Sequence, residues 1–159
     1  ADGIAFGCLT KNSEIDVKQT KEIVDIIKSF NKEVVFHRAF DCVKDVDKAM
    51  NILIELGVDR VLTSGLKPKA MDGIEKIKYL QDKYGDRIEI LAGSGMNASN
   101  AKEMMEKTGI SQVHSSCKGY RNDSTTSGKF VNYCYAGEPH QNDYDVVDEE
   151  LVRKIVNSI

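Results

Sequence analysis

An imidazole, a guanidinium and a carboxylate stand close together in VVFHRAFD, at His37, Arg38 and Asp41, directly after the apolar run Val34, Val35, Phe36. A histidine near an aspartate is an acid/base pair in waiting, since imidazole exchanges a proton near neutral pH and a carboxylate can accept or orient it. The same residues carry a plainer alternative. Arg38 pairs with Asp41 as a local clamp, because a half-buried arginine nearly always takes a carboxylate partner, and His37 is a satisfied core histidine. If His37 and Arg38 both lie on a strand, only one of them faces a site, and His37 shares its side with Val35.

A second set of candidates surrounds AGSGMNASN, Ala92 to Asn100. Gly93 and Gly95 bracket Ser94 ahead of a helix that Asn97 is expected to cap, and backbone N–H groups at such a turn form an anion cradle. The glycines alternatively permit nothing more than a tight strand-to-helix turn. HSSC, His114 to Cys117, supplies the facing loop. The anion-binding candidates are therefore Ser64, Gly93, Ser94, Gly95, His114, Ser115, Ser116 and, as a clamp in the tail, Arg121, with a phosphate- or carboxylate-bearing ligand in view.

Cys8, Cys42 and Cys117 fall just past expected strand ends, with Met96, His37 and His114 in the same region. Sulfur with imidazole suits Cu(I), which makes Cys8, Cys117 and His114 the candidate metal ligands. Against this, the four cysteines, Cys134 included, are widely spaced and form no CxxC pair, and a free cysteine is more often a small buried hydrophobe. Other chemistries find less support. Lys67 lies past Gly65 rather than on a strand end where a Schiff-base lysine belongs, and no GxSxG elbow accompanies Ser64, Ser94, Ser115 or Ser116.

These groups need elements to hold them. Short apolar runs at Gly3–Gly7, Glu33–His37, Arg60–Ser64, Ile88–Gly93 and Gln112–Ser115 read as strands. Helical periodicity fills the gaps at Val17–Phe30, Val46–Leu56, Ile74–Tyr84 and Ala101–Thr108, with a last helix at Asp148–Asn157. Asp16, Asp45 and Asn97 stand at N-cap positions, and Gly57, Gly85 and Gly109 where left-handed C-caps belong. The cadence of roughly 24 to 31 residues is that of β/α crossovers in a parallel sheet. Two α/β architectures use it: a five-stranded doubly wound sheet, or the C-terminal portion of a (β/α)₈ TIM barrel. The opening inside an apolar run, without Met, favours the barrel portion, with a missing front end and residues 1–159 as one domain. On that reading the first and last strands each expose an edge. The stretch Lys118–Val147 has no sustained period and exceeds a plain connector. Its Tyr133 and Tyr135 either pack it down or reach another subunit.

Composition bounds the function. The chain has 159 residues, 41% hydrophobic and 30% charged, with a formal net charge of −3, which gives no basic excess for nucleic acid. No apolar run approaches the roughly 20 residues of a membrane span, and the start lacks the pattern of a signal peptide. The expected location is the cytoplasm, with reduced thiols.

The same motifs carry a family resemblance. VVFHRAFD, GVDRVLTSG, EILAGSGM and VHSS, in this order and at these separations, resemble the second half of the CutC copper homeostasis family, and the likeness runs from ADGIAFGCLT to VVDEELV. The resemblance implies a (β/α)₈ barrel, a cytoplasmic location, self-association as a dimer or tetramer, and copper as the handled ion. It also implies three preceding strands, with an ELC-type strand end and an Arg-bearing one, that this chain does not contain. The matching residues His37, Arg38, Asp41, Ser64, Gly93, Gly95, His114 and Ser115 include no cysteine, which weighs against a purely thiolate site.

Overall fold

Buried and partly exposed residues alternate along the three inner strands of the five-stranded parallel sheet, and this alternation shows which side of the sheet carries the core. A computed structural model describes residues 1–159 except Thr126, Cys134 and Tyr135, so the readings of Cys134 and Tyr135 lie outside the described residues. Strands β1 (Gly3–Phe6), β2 (Glu33–Phe36), β3 (Arg60–Thr63), β4 (Glu89–Gly93) and β5 (Gln112–His114) are all parallel and pair in unbroken chain order. A doubly wound sheet reverses its strand order at a switch point. This sheet has no reversal, which removes the doubly wound alternative.

Right-handed crossovers between successive neighbours carry every helix to the same face. Burial agrees with this. Val34, Phe36, Val61, Thr63, Ile90 and Ala92 are buried, whereas Val35, Leu62 and Leu91, pointing to the other face, remain partly exposed. Strands β1 and β5 form the two edges of the sheet.

Helices α1 (Val17–Ser29), α2 (Val46–Glu55), α3 (Ile74–Tyr84) and α4 (Ala101–Thr108) complete the core with Val24, Ile27, Met50, Leu53, Ile77, Leu80 and Met104. Their ends follow local chemistry. The Asp16 and Asp45 carboxylates accept from Gln19 N at 3.0 Å and Lys48 N at 2.9 Å, satisfying first-turn donors. Gly109 closes α4 at φ 78°, a left-handed stop that glycine adopts without strain.

Two expected caps differ in detail. Gly85 caps α3 where expected, but at φ −57° rather than left-handed, because the chain keeps winding after Tyr84, whose carbonyl accepts from both Arg87 N and Ile88 N. Asn97 does not cap α4. Its Oδ1 accepts from Ser99 N at 2.9 Å and Ser99 Oγ at 2.6 Å, a local turn typical of Asn, and Asn100 holds the cap position.

The chain divides into two compact units, one of Ala1–Met96 with Asn100–Ser115 and one of Asn97–Ser99 with Ser116–Ile159. In the second, β6 (Lys118–Asn122) pairs antiparallel with β7 (Asp143–Val147), and α5 (Glu149–Val156) follows, capped by Asp148. The sequences KGYRN and DYDVV have no apolar period that would announce strands. Their pairing is held by long-range contacts such as Lys118 with Asp145 at 3.2 Å and by the ladder itself. No helix among the described residues is long and apolar enough to cross a membrane.

Candidate functional site

Strand β2 stops at Phe36, and the chain turns at once into a 3-10 helix, Arg38–Cys42. His37 caps that helix with its own ring: Nδ1 accepts from Ala39 N at 3.1 Å, which assigns the proton of the neutral imidazole to Nε2. The ring stands edge-on to Phe36 at 6.2 Å. Gly7 makes room for it, since a Cβ there would lie 2.5 Å from both Cε1 and Nδ1. His37 and Arg38 lie past the strand end, so strand alternation does not separate them as the sequence reading supposed.

Arg38 Nε donates to Asp41 Oδ2 at 2.8 Å. The Asp41 side chain is only 8% exposed, and Thr63 Oγ1 (2.5 Å), Ser64 N (3.0 Å), Ser64 Oγ (2.8 Å) and Leu66 N (3.2 Å) also approach its oxygens. One carboxylate thus ties the 3-10 helix to the loop after β3. No hydrogen bond joins His37 to Asp41 among the described residues, so the pair suggested by their spacing is not assembled, whereas the clamp is present. Arg38 Nη2 donates to Ser64 Oγ at 2.8 Å and reaches Lys67 O at 3.5 Å. Nη1 has no protein partner among the described residues, and the side chain is 40% exposed.

Ser64 is fully buried. Its hydroxyl shares one proton between Asp41 and the Lys67 carbonyl while accepting from Arg38, which leaves nothing for a ligand. The turn after β4 is left-handed at Ser94 (φ 86°) and Gly95 (φ 78°). Ser94 Oγ donates to Pro68 O at 2.7 Å, and the Ser94 carbonyl accepts from Ala70 N at 3.0 Å, so this turn is bonded to the loop after β3. Gly93 is buried, with Leu62 Cδ1 2.6 Å and His114 Cβ 3.5 Å from the place a Cβ would take. Gly95 lies under Lys69, whose Cδ is 3.0 Å from the corresponding point.

Lys69 is exposed and has no ion pair among the described residues. Sequence reasoning missed it by looking for lysine on a strand rather than beyond one. The available signal was KPK, two lysines flanking a proline just after the TSG strand end.

His114 ends β5 and is exposed, and Ser115 is half-buried. Ser116, Cys117 and Arg121 belong to the second unit. Cys117 is buried there, Ser116 is exposed, and Arg121 lines a groove with Tyr120, Asp148 and Arg153. Cys8 is half-buried just past β1 and Cys42 is exposed. Cys8 and His114 follow the two edge strands of the sheet, with three strands between them. Among the described residues no three His, Cys, Asp or Glu side chains group to hold a metal.

Charge is distributed unevenly between the strand ends. Past the C-terminal ends, Asp41 is neutralised by Arg38, and Glu14 is paired with Lys48 and Lys44, whose hydrogen bonds lower its pKa. At the N-terminal ends, Arg60 bridges Glu33 at 2.9 Å and Glu89, and Gln112 donates to Glu89 at 2.5 Å. The Arg60 hydrogen bond holds the Glu89 carboxyl below its ordinary value, and Glu89 raises Arg60 in turn. Those charges are spent on one another. Lys69, past the C-terminal end of β3, has no such partner among the described residues.

Residues 1–119, which contain β1 to β5 and all of these rim groups, match the CutC family. The chain belongs to the CutC family. The CutC protein of Glaesserella parasuis is 37% identical over 159 residues, covering 98% of this chain and 63% of the relative. That of Treponema denticola is 37% identical over 160 residues, covering 100% and 64%. That of Bacteroides thetaiotaomicron is 40% identical over 139 residues, covering 83% and 55%. The chain therefore spans less than two thirds of the length of these CutC relatives. Among solved structures, a CutC from Streptococcus agalactiae whose name refers to copper homeostasis is similar with a TM-score of 0.67 and 31% identity, over 72% of this chain and 55% of that one.

Proposed function

We propose that this chain contributes five units to a (β/α)₈ barrel of the CutC family, and that its rim receives a small phosphate- or carboxylate-bearing molecule. The observation that carries the reading is Arg38: a guanidinium held by a buried carboxylate, its side chain 40% exposed and its Nη1 without a protein partner among the described residues. A guanidinium Nη1 fixed in this way donates to an oxyanion with little entropic cost on binding. His37 Nε2, rather than Asp41, is the group placed to move a proton, because the Asp41 oxygens are already surrounded by donors. The unbroken strand order and the S. agalactiae relative support the barrel. Titration calorimetry of the reduced protein with inorganic phosphate tests the reading. Saturable binding, weakened about tenfold in Arg38→Met, is the expected result, and absence of binding overturns it.

A second reading, copper(I) handling, is favoured by the name of the S. agalactiae relative and by the free thiols Cys8 and Cys42. Of the proposed ligands, Cys8 and His114 belong to the first unit and Cys117 to the second. The thiols support a cytoplasmic location, and the open edges of β1 and β5 support assembly as a homo-oligomer.

A further inference from the structure

Arg38 and Lys69 offer the rim two different things. Arg38 spends its charge on Asp41 at 2.8 Å, so the pair is close to neutral and contributes directed N–H groups rather than field. Lys69 has no acidic partner among the described residues. Lys67, two residues earlier, likewise has no ion pair among the described residues, but it lies on another side of the loop, in a cleft lined also by Asp72, Glu75 and Lys76.

Lys69 is also held in place. Its stem lies on Gly95, Cδ 3.0 Å and Cε 3.8 Å from where a Cβ would stand. The loop that carries it is bonded to the next loop through Ser94 Oγ to Pro68 O and Ala70 N to Ser94 O. On its other side the same loop is bonded to the Arg38 helix through Asp41 and the Lys67 carbonyl. The two cations therefore stand on one continuous hydrogen-bonded arch over β2, β3 and β4. Glycine at 95, which the sequence suggested as a backbone anion cradle, serves here as the flat surface on which the lysine rests.

We propose that Lys69 is the charge-determining residue of this rim and that it makes the site selective for dianions, phosphate monoesters in particular, over monocarboxylates. The inference rests on the anion reading above and adds the ligand class to it. Two like charges on the ligand gain from an added unpaired cation where a single charge is already served by Arg38 Nη1.

The test is calorimetric titration of the intact protein at about pH 8, where phosphate is a dianion, with inorganic phosphate and separately with acetate. The variants are Lys69→Met, Lys69→Arg, Gly95→Ala and Arg38→Met. Lys69 is exposed, so its variants are expected to fold, and thermal melts establish that they do. Lys69→Met is expected to weaken phosphate about tenfold while changing acetate less than about twofold, with Lys69→Arg close to wild type. Gly95→Ala is expected to weaken phosphate by displacing the lysine stem. Phosphate binding lost in Arg38→Met but unchanged in Lys69→Met overturns this proposal and leaves the anion reading standing. A wild-type protein that binds neither ion overturns both.

Discussion

The Arg38 guanidinium and the Asp41 carboxylate meet at 2.8 Å across a single turn of 3-10 helix, and the carboxylate is 8% exposed while the guanidinium is 40% exposed. Two residues three apart in the chain thus play unequal parts. Asp41 faces inward and joins the backbone and hydroxyls of the loop after β3, and Arg38 faces outward with donors to spare.

Removing the inward partner is therefore expected to cost more than removing the outward one. Asp41→Asn keeps the shape but replaces one acceptor oxygen with a donor that opposes Ser64 N or Thr63 Oγ1. A loss of about 2–4 kcal/mol is expected, from the lost charged hydrogen bonds and the stranded Thr63 and Ser64 groups. Urea unfolding measures it. A cost below about 0.5 kcal/mol shows that the carboxylate does not brace the loop.

Gly7 and His37 are coupled by space. Gly7→Ala places a methyl where the imidazole now lies, and an overpacked site of this kind costs about 1–3 kcal/mol. In a His37→Ala background the same change is expected to cost much less, and a double-mutant cycle reads the difference. Additive costs argue against the contact.

Asp47 on α2 is the acceptor for Tyr84 Oη at 2.5 Å, Tyr79 Oη at 2.7 Å and Lys83 Nζ at 2.9 Å on α3. These hydrogen bonds, that of Tyr84 foremost, push its carboxyl far below the ordinary carboxylate range. Because the folded value is depressed, the stabilisation is complete above the unfolded value near about 3.9 and is lost as pH falls toward the folded one. Asp47→Ala strands the hydroxyl of buried Tyr84 and is expected to cost about 1–3 kcal/mol at neutral pH. The difference from wild type is expected to shrink below about pH 4. A difference independent of pH from 7 to 2 counts against an ionised acceptor.

Copper separates the two functional readings. Titrated with Cu(I) against a competing chelator, the reduced protein is expected to hold no tightly bound ion in one chain, because Cys8 and His114 lie past opposite sheet edges. Stoichiometric capture that disappears when Cys8, Cys42 and Cys117 become Ser establishes a thiol site and reverses the order of the two readings.

The repeating frame was legible because its signals are local. Asp16 and Asp45 cap helices through bonds to residues three positions on, Gly109 stops α4 through its own φ, and the periodicity of Val34, Phe36, Met50 and Leu53 marks faces that each element presents by itself. Gly85 caps α3 but right-handed, because a glycine permits the left-handed conformation without requiring it, and Asn97 misled because its side chain bonds to Ser99 instead. Strands β6 and β7 escaped notice because their stability lies in each other rather than in any apolar pattern.

For the candidate site, residue type was legible and role was not. The sequence by itself determined that polar groups follow each strand end, that helices and parallel strands alternate, and that His37, Arg38 and Asp41 lie together after β2. Only the tertiary structure decided that Asp41 turns toward the loop after β3, that Ser64 is sealed beneath it, that Cys8 and His114 follow the two edge strands of the sheet, and that Lys69 rests on Gly95. The reason is physical. A hydrogen bond to a residue twenty or more positions away, such as Thr63 to Asp41, depends on which strands become neighbours, and that is settled by packing of the whole sheet rather than by any short stretch of chain.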